Sequence, residues 1–274
     1  MPAIQLEKLR EQCSQLKKHF ENPEALIQSI VALLDAYAER THRAGLSGEP
    51  PPLLYTYNVP KPVLRQILLE ITPLATTHTD LTLELCDRLW QNPVFELRWI
   101  AASLIGYVAP TPPEPIFNRI QNWGLQTREN QMIDILFDQG LLRLRSEAPE
   151  QLIQYIRKWL DDSDQKIQLF GIKALIPLIS KTEYENIPAF FKLITPYLRH
   201  PPPHLRNDLR DLIQELAIRS PVETASHLRQ FLEITYHPDL AWLARQCLPF
   251  FPQGNQASLR KLLSGASISD DSQD

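Results

Sequence analysis

Apolar residues recur at helical spacing along most of the chain. The apolar positions that follow Pro93 are Val94, Leu97, Ile100, Ala101, Leu104, Ile105 and Val108. Steps of three and four residues place them on one face of an α-helix for about four turns. No stretch of comparable length alternates apolar and polar residues, as a half-buried strand would. The pattern therefore predicts an all-α protein.

Dipeptides that end in proline stand just before several of these apolar runs. They are Asn22-Pro23, Asn92-Pro93, Ala148-Pro149, Ser220-Pro221 and His237-Pro238. Proline suits the first helical position because its φ is already fixed and its missing N–H is one that a helix end does not use. Each pair therefore predicts the start of a helix.

Helical units also repeat along the chain. Leu97 aligns with Ile167, 70 positions later, and with Leu205, a further 38 positions on. Other matched sets are Trp90/Leu160/Leu198, Arg98/Gln168/Arg206, Ala101/Gly171/Leu209, Leu104/Ala174/Leu212 and Ile105/Leu175/Ile213. The longer offset divides into two units, with Ile133 at the position of Leu97, and residues 236–251 form a further unit with one insertion. Units of about 35–40 residues are typical of HEAT-like helix pairs, so we expect a right-handed α-α superhelix (solenoid) of six or seven pairs with a concave groove.

The repeats divide the chain into four regions. We expect an N-terminal helix pair at residues 1–43, a proline-rich connector at 44–60, the repeat array at 61–262 and an acidic tail at 263–274. The tail consists of small, polar and acidic residues, a composition that predicts disorder.

Composition narrows the function classes. The 8 glycines and 24 prolines suit helices that begin at proline better than a sheet with many tight hairpins. The formal charge is −4, and Asp270, Asp271 and Asp274 in the tail contribute three of these negative charges. Proteins that wrap nucleic acid over a broad face are usually basic, so the nearly neutral body argues against extensive wrapping but not against a local basic patch.

The cysteines and the N-terminal sequence predict a location. Cys13, Cys86 and Cys247 are odd in number and far apart, which is typical of reduced thiols in a cytoplasmic protein. The first residues lack the apolar core of a signal peptide, and no apolar run approaches the length of about 18 residues that a membrane span needs. We therefore expect a soluble cytoplasmic protein that does not bind membranes.

Motifs for common cofactors and nucleophiles are missing. The sequence contains no GxGxxG, GxxxxGK[ST] or GxSxG motif. His200 and His204 have an H-x3-H spacing, but the three prolines between them break the helix that would place both rings on one face. We expect no cofactor and no metal.

Four segments carry a resemblance to a known family. They are YNVPKPVLRQILLEI (57–71), LWQNPVFELRWIAASLIG (89–106), ENQMIDIL (129–136) and KWLDDSDQKIQLFGIKALI (158–176). Over residues 53–235 the chain resembles the DNA alkylation repair enzymes, HEAT-like repeat glycosylases that act on alkylated purines. The resemblance implies cleavage of the bond between base and deoxyribose without a pocket for the base. In that chemistry a carboxylate stabilises the cationic sugar, aromatic rings crowd the sugar and arginines hold the phosphates.

The resemblance places the family's carboxylate at Asp134, which is the candidate catalytic residue. Most of its expected companions are absent. Asn130 replaces the tryptophan four positions earlier, Gln168 and Leu169 replace an arginine pair, and Asp211 and Gln214 replace a later tryptophan and arginine. Asn and Gln cannot stack on a sugar or neutralise a phosphate as Trp and Arg do.

Asp134 also has a plain structural interpretation. Met132, Ile133, Leu136 and Phe137 form an apolar stripe, whereas Asn130, Asp134 and Asp138 lie on the opposite, polar face. An acid on such a face is usually solvated. Trp90, Trp99, Trp123 and Trp159 similarly suit packing between repeats better than stacking on a ligand.

Basic residues cluster modestly along the array. The candidate nucleic-acid-binding residues are Arg98, Arg143, Arg145, Arg206 and Arg210. Equivalent positions of a solenoid line one groove, so Arg98, Arg206 and Arg210 are expected on one face. The alternative is that these are solvated charges paired with nearby aspartates.

Two functions follow from these patterns. The first is a relative of the alkylation repair glycosylases that binds damaged duplex DNA in its groove with reduced or absent N-glycosylase activity on alkylated purines. The second is a non-catalytic scaffold that uses the same fold to bind a protein.

Overall fold

The computed structural model describes residues 5–39, 54–182, 184–234 and 237–265. These residues form an all-α fold, as predicted, and their extended pairing is limited to one bridge between Tyr55 and Val94. The helices are α1 (Leu6–Ser14), α2 (Pro23–Ala36), α3 (Lys61–Thr77), α4 (Thr79–Gln91), α5 (Phe95–Ile105), α6 (Glu114–Gln126), α7 (Asn130–Gln139), α8 (Leu142–Glu147), α9 (Pro149–Leu160), α10 (Gln165–Lys181), α11 (Ile187–Arg199), α12 (Arg206–Arg219), α13 (Pro221–Ile234), α14 (Pro238–Cys247) and α15 (Gln253–Gly265).

The chain divides into two compact units at the start of α9. The first is Met1–Ala148 and the second is Pro149–Asp274. In the first unit α3 packs on α1 and α5, α5 packs on α7, and α2 packs on α4. In the second unit α10 packs on α12, α12 on α14, α11 on α13 and α13 on α15. Within each unit, several helices thus contact their next-but-one neighbours in sequence, in addition to adjacent pairs such as α4 with α5 and α9 with α10.

Positions that the sequence alignment matched have matched environments. Leu97, Ile167 and Leu205 are all buried. The side chains of Arg98 and Gln168 also make the same local contact: each donates to the carbonyl oxygen of the residue six positions earlier, Asn92 at 3.0 Å and Asp162 at 2.8 Å. Residues 70 positions apart therefore share a local hydrogen bond as well as a buried apolar position.

Gly171 marks a close approach between two helices of the second unit. A Cβ atom added there would lie 2.7 Å from the side chain of Leu160, on α9. Only a residue without a side chain lets α9 and α10 pack this closely. The alanine that occupies the matched position in α5, Ala101, is also fully buried.

Four of the five predicted helix starts agree with the structure. Helices α2, α9, α13 and α14 begin at the proline, and Asn22 and His237 cap their helices by accepting from backbone N–H groups. The prediction at Asn92-Pro93 was wrong by two residues, since α5 begins at Phe95. Val94 is extended there, since Pro93 O accepts from Tyr55 N at 3.0 Å and Phe95 N donates to Tyr55 O at 2.8 Å.

Several sequence predictions concern residues outside the described ranges. Residues 44–53 of the connector and 266–274 of the tail are among them.

The three cysteines are described, and their thiols are buried and not disulfide-bonded. Burial raises the pKa of Cys13 and Cys247 to about 12 and raises that of Cys86 as well. In the described ranges no helix combines the length and the apolar content needed to cross a bilayer.

Candidate functional site

Asp134 lies in the middle of α7, the helix that packs against α5. Its side chain is exposed, as is that of Asn130 one turn earlier, while Met132 and Leu136 are fully buried. This is the polar face that the spacing predicted. The structure thus places the candidate carboxylate at the surface of the first unit, with an asparagine where the family resemblance expects a tryptophan.

Arg145 has a buried, structural environment. Only 4% of the residue is exposed, and its Nη1 donates to the carbonyl oxygens of Asp138, at 2.6 Å, and Phe137, at 3.3 Å. Both carbonyls belong to the last turn of α7, where no later N–H group of the helix is available to donate to them. Burial lowers the pKa of Arg145, and the Asp138 carboxylate 4.0 Å away acts in the opposite direction. The guanidinium therefore closes the end of α7 and presents little surface to a phosphate.

Arg143 is more accessible than Arg145. Its Nε and Nη2 donate to the Glu147 carboxylate at 2.6 and 2.9 Å, and its Nη1 donates to Tyr107 O at 3.0 Å. The hydrogen bond from Arg143 lowers the pKa of Glu147, and the same contact raises that of Arg143. A phosphate at this position has to compete with a carboxylate already in place.

Arg98 lies over an aromatic stack. Its guanidinium carbon is 5.2 Å from the centre of the Trp90 ring, and Trp90 stacks on Trp123 with ring centres 4.6 Å apart. Trp90 and Trp123 are only 2% and 5% exposed, so their rings are core residues. Burial lowers the pKa of Arg98, and Glu129 partly offsets this effect. The half-buried guanidinium retains donors beyond the Nε that binds Asn92.

Arg206 and Arg210 lie on α12 in the second unit, and each has an aspartate partner. Arg206 Nη2 is paired with Asp239, and its guanidinium carbon lies 5.8 Å from the centre of the Trp242 ring. Arg210 binds Asp211 through Nε at 3.0 Å and Nη2 at 2.7 Å, and this contact raises the pKa of Arg210. Both side chains are about two-fifths exposed, at 38% and 40%.

Two positions where the resemblance expects binding groups have local structural contacts instead. Gln168 ties the first turn of α10 to the preceding loop through Asp162 O. Asp211 accepts from Arg210, its neighbour in α12. These side chains hold their own helices, and the family's arginine and tryptophan have no counterpart there.

The end of the proline-rich connector, whose contacts the sequence did not predict, crosses the start of α5. Residues 54–59, which we call the strap, form no helix and are held by two carboxylates. Glu96, 2% exposed, accepts from Thr56 Oγ1 at 2.9 Å, Tyr57 N at 3.2 Å and Val59 N at 3.4 Å. Glu129 accepts from Leu54 N at 3.0 Å. A glutamate at or just before the start of a helix is ordinarily explained by the helix dipole, so the sequence carried no sign of this role.

The strap borders a cavity of about 520 Å³ in the first unit. Its walls come from the strap, the start of α3, the first half of α5 and the start of α7. The lining residues are Leu54, Thr56, Asn58, Val59, Lys61, Leu64, Phe95, Glu96, Trp99, Glu129, Gln131 and Ile135. Gln131 and Ile135 flank Asp134 along α7, so this cavity lies beside the helix that carries the candidate carboxylate.

One of three comparisons with known proteins is informative. A family model described as DNA alkylation repair enzyme matches residues 54–245, from the strap to α14. No curated protein matches the chain. Among solved structures, the crystal structure of an engineered protein is similar at 15% identity and a TM-score of 0.30, over 91% of this chain and 66% of that one. The chain thus spans just under two thirds of that structure's length, and a likeness this loose bears on neither fold nor function.

Proposed function

Because this chain belongs to the DNA alkylation repair enzyme family, we propose that it binds duplex DNA carrying alkylated bases and that its N-glycosylase activity is reduced or absent. The observation that carries the proposal is the extent of the family match. It includes all of α3 to α13, and therefore every helix that bears a candidate residue.

The proposed DNA-binding surface is the concave groove of a right-handed solenoid of HEAT-like helix pairs. The next-but-one packing of helices within each unit supports this architecture, as does the repeated contact of Arg98 and Gln168. In a solenoid, each pair buries its apolar face on its neighbours and leaves a continuous concave surface.

Arg98, Arg143, Arg206 and Arg210 are the proposed phosphate contacts. Each is at least partly accessible and is held in place by a carboxylate or a carbonyl, an arrangement that pre-orients the guanidinium. An arginine has five N–H donors. A guanidinium that uses one or two of them to fix its orientation therefore still has donors for a phosphate oxygen. Arg145 is left out of the proposed contacts because its guanidinium is buried at the end of α7.

Weak or absent chemistry follows from the surroundings of Asp134. A cationic sugar is stabilised by a carboxylate in a dry site whose other groups fix the substrate. Asp134 is exposed, and Asn130, Gln168 and Asp211 stand where stacking and phosphate-binding groups are expected. The chain therefore keeps the family's carboxylate, and other residue types replace the family's tryptophans and arginines.

Salt-dependent binding of a short labelled duplex tests this proposal. Between about 50 mM and about 200 mM salt the affinity should fall steeply, because each neutralised phosphate contributes about 0.9 to the slope of log K against log salt concentration. Replacing Arg206 and Arg210 together by glutamine should lower the slope by about 2. Arg229→Gln is the matched control, since Arg229 is also exposed and paired with a glutamate but is not a proposed contact.

The absence of binding at the lowest salt concentration would contradict duplex binding. A steep slope that is the same for the wild type, the double variant and the control would leave duplex binding in place and contradict the assignment of Arg206 and Arg210 as phosphate contacts.

A protein-binding scaffold is the alternative, and exposed apolar residues in the second unit favour it. Ile218 and Val222, near the junction of α12 and α13, are 63% and 65% exposed. Exposed apolar residues that form a continuous patch commonly mark a protein contact. A failure of duplex binding at low salt, with the protein folded, would favour this function.

A further inference from the structure

The cavity bordered by the strap has the size of a ligand site. Its volume of about 520 Å³ lies within the range of about 300–1,000 Å³ that is usual for small-molecule pockets. Such pockets have mostly apolar walls and a few polar groups that fix the ligand's orientation. Half of the residues that line this one are apolar and half are polar or charged.

The apolar wall contains a tryptophan whose surroundings differ from those of the buried ones. Trp90, Trp123 and Trp159 are at most 5% exposed. Trp99 is half-buried, lines the cavity, and has no ring partner among the described residues. A partly exposed indole in a cavity wall is a stacking surface for a planar ring.

Three polar side chains of the cavity lack partners within the described ranges. The ammonium group of Lys61 forms no ion pair there, and the amides of Asn58 and Gln131 form no hydrogen bonds. The two carboxylates of the cavity differ, because both Glu96 and Glu129 already accept hydrogen bonds from the strap. The groups left for a ligand are two amides, which both donate and accept, and one cation.

We propose that this cavity binds a nucleotide, with the base stacked on Trp99, the base edge hydrogen-bonded to Gln131 and Asn58, and the phosphate paired with Lys61. A planar heterocycle that carries a phosphate uses all three kinds of group. An acyl chain would leave the amides unused, and an anion without a ring would leave Trp99 unused. Amide side chains pair with the edge of adenine through one donor and one acceptor, so adenine is the expected base.

The nucleotide has two sources, a free nucleotide or one displaced from a DNA strand. The second source rests on the proposed duplex binding, whereas the first does not. A displaced base also departs from the chemistry that the family resemblance implies, in which the base does not enter a pocket.

Calorimetric titration with dAMP tests the pocket directly. Saturable binding is expected, and Trp99→Ala should weaken it by about tenfold or more, the usual effect of removing a stacking ring. Trp242→Ala is the matched control: Trp242 is also partly exposed, at 37%, but lies in the second unit. Gln131→Ala changes an exposed residue and should weaken binding without affecting folding.

Lys61→Gln separates the phosphate contact from the base contacts. This variant should weaken binding of dAMP and leave binding of deoxyadenosine unchanged. Lys8→Gln, which alters another exposed lysine of the first unit, is its control. Absence of saturable dAMP binding, or equal affinity in the wild type and Trp99→Ala, would overturn the proposal even if duplex binding persists.

A duplex that contains 2-aminopurine distinguishes the two sources. A change in its fluorescence on binding that is absent in Trp99→Ala would support capture of a displaced base. Unchanged fluorescence together with Trp99-dependent dAMP binding would support a free nucleotide. If the duplex does not bind while dAMP does, the proposed function fails and the pocket stands.

Discussion

Arginines that look equivalent in the sequence have different roles in the structure. Arg143 and Arg145 are two residues apart on a short helix, and both were candidate phosphate ligands. One is partly exposed beside Glu147, and the other donates to the carbonyls at the end of α7. Helical position alone does not separate the two roles, because burial depends on what α8 packs against.

Arg145→Ala should lower the free energy of unfolding by about 2–4 kcal/mol, since it removes charged hydrogen bonds and leaves two carbonyls in a buried environment without a partner. Arg143→Ala should cost less, about 1 kcal/mol, because its ion pair is partly exposed. Urea unfolding measures both. Equal losses for the two variants would contradict the structural role of Arg145.

Asp134 is testable by the release of methylated purines from alkylated duplex DNA. The purified protein should release little or no base, and any release should fall by about 10²–10³ in Asp134→Asn, the usual effect of removing one electrostatic stabiliser. Asp138→Asn is the control on the same polar face of α7. Strong release that is equal in the wild type and Asp134→Asn would contradict both the residue assignment and the proposed weakness of the activity.

The strap shows how an element without regular structure becomes fixed. The backbone N–H groups of Leu54, Tyr57 and Val59 bind carboxylates, whereas Tyr55 N pairs with Pro93 O. Asn58 adopts a φ of 54°, which asparagine tolerates better than most residues. Two glutamates at the starts of α5 and α7 thereby hold the wall of a cavity.

Glu96→Gln should destabilise the first unit by about 1–3 kcal/mol, because an amide group replaces an acceptor oxygen that faces backbone donors. Limited proteolysis at Tyr55 and Tyr57 should become faster as the strap is released. Glu84→Gln, at an exposed ion pair on α4, is the control and should leave proteolysis unchanged. Resistance equal to that of the wild type would show that Glu96 does not hold the strap.

Helix boundaries show the same limit on sequence-based prediction. Proline marked the starts of α2, α9, α13 and α14 correctly because its geometry acts locally. It failed at α5 because Pro93 and Val94 pair with Tyr55, which is 38 positions earlier in the chain. A local rule cannot include a partner so distant in sequence.

At the scale of the whole molecule, the family match and the charge balance favour different functions. The match over residues 54–245 supports DNA as the partner. The formal charge of −4 and the aspartates beside Arg206 and Arg210 limit how strongly a polyanion can be held. Together they support modest, salt-sensitive binding, which the duplex titration is designed to detect.

By itself the sequence determined the all-α fold class, the family and most helix starts, because apolar periodicity, proline geometry and motif order are local or cumulative signals. It also placed Asp134 on a polar helix face. Only the tertiary structure decided that Arg145 is buried, that Glu96 and Glu129 hold the strap, and that Trp99 lines a cavity. Those properties depend on contacts between residues far apart in the chain. Residue type and local spacing do not reveal such contacts.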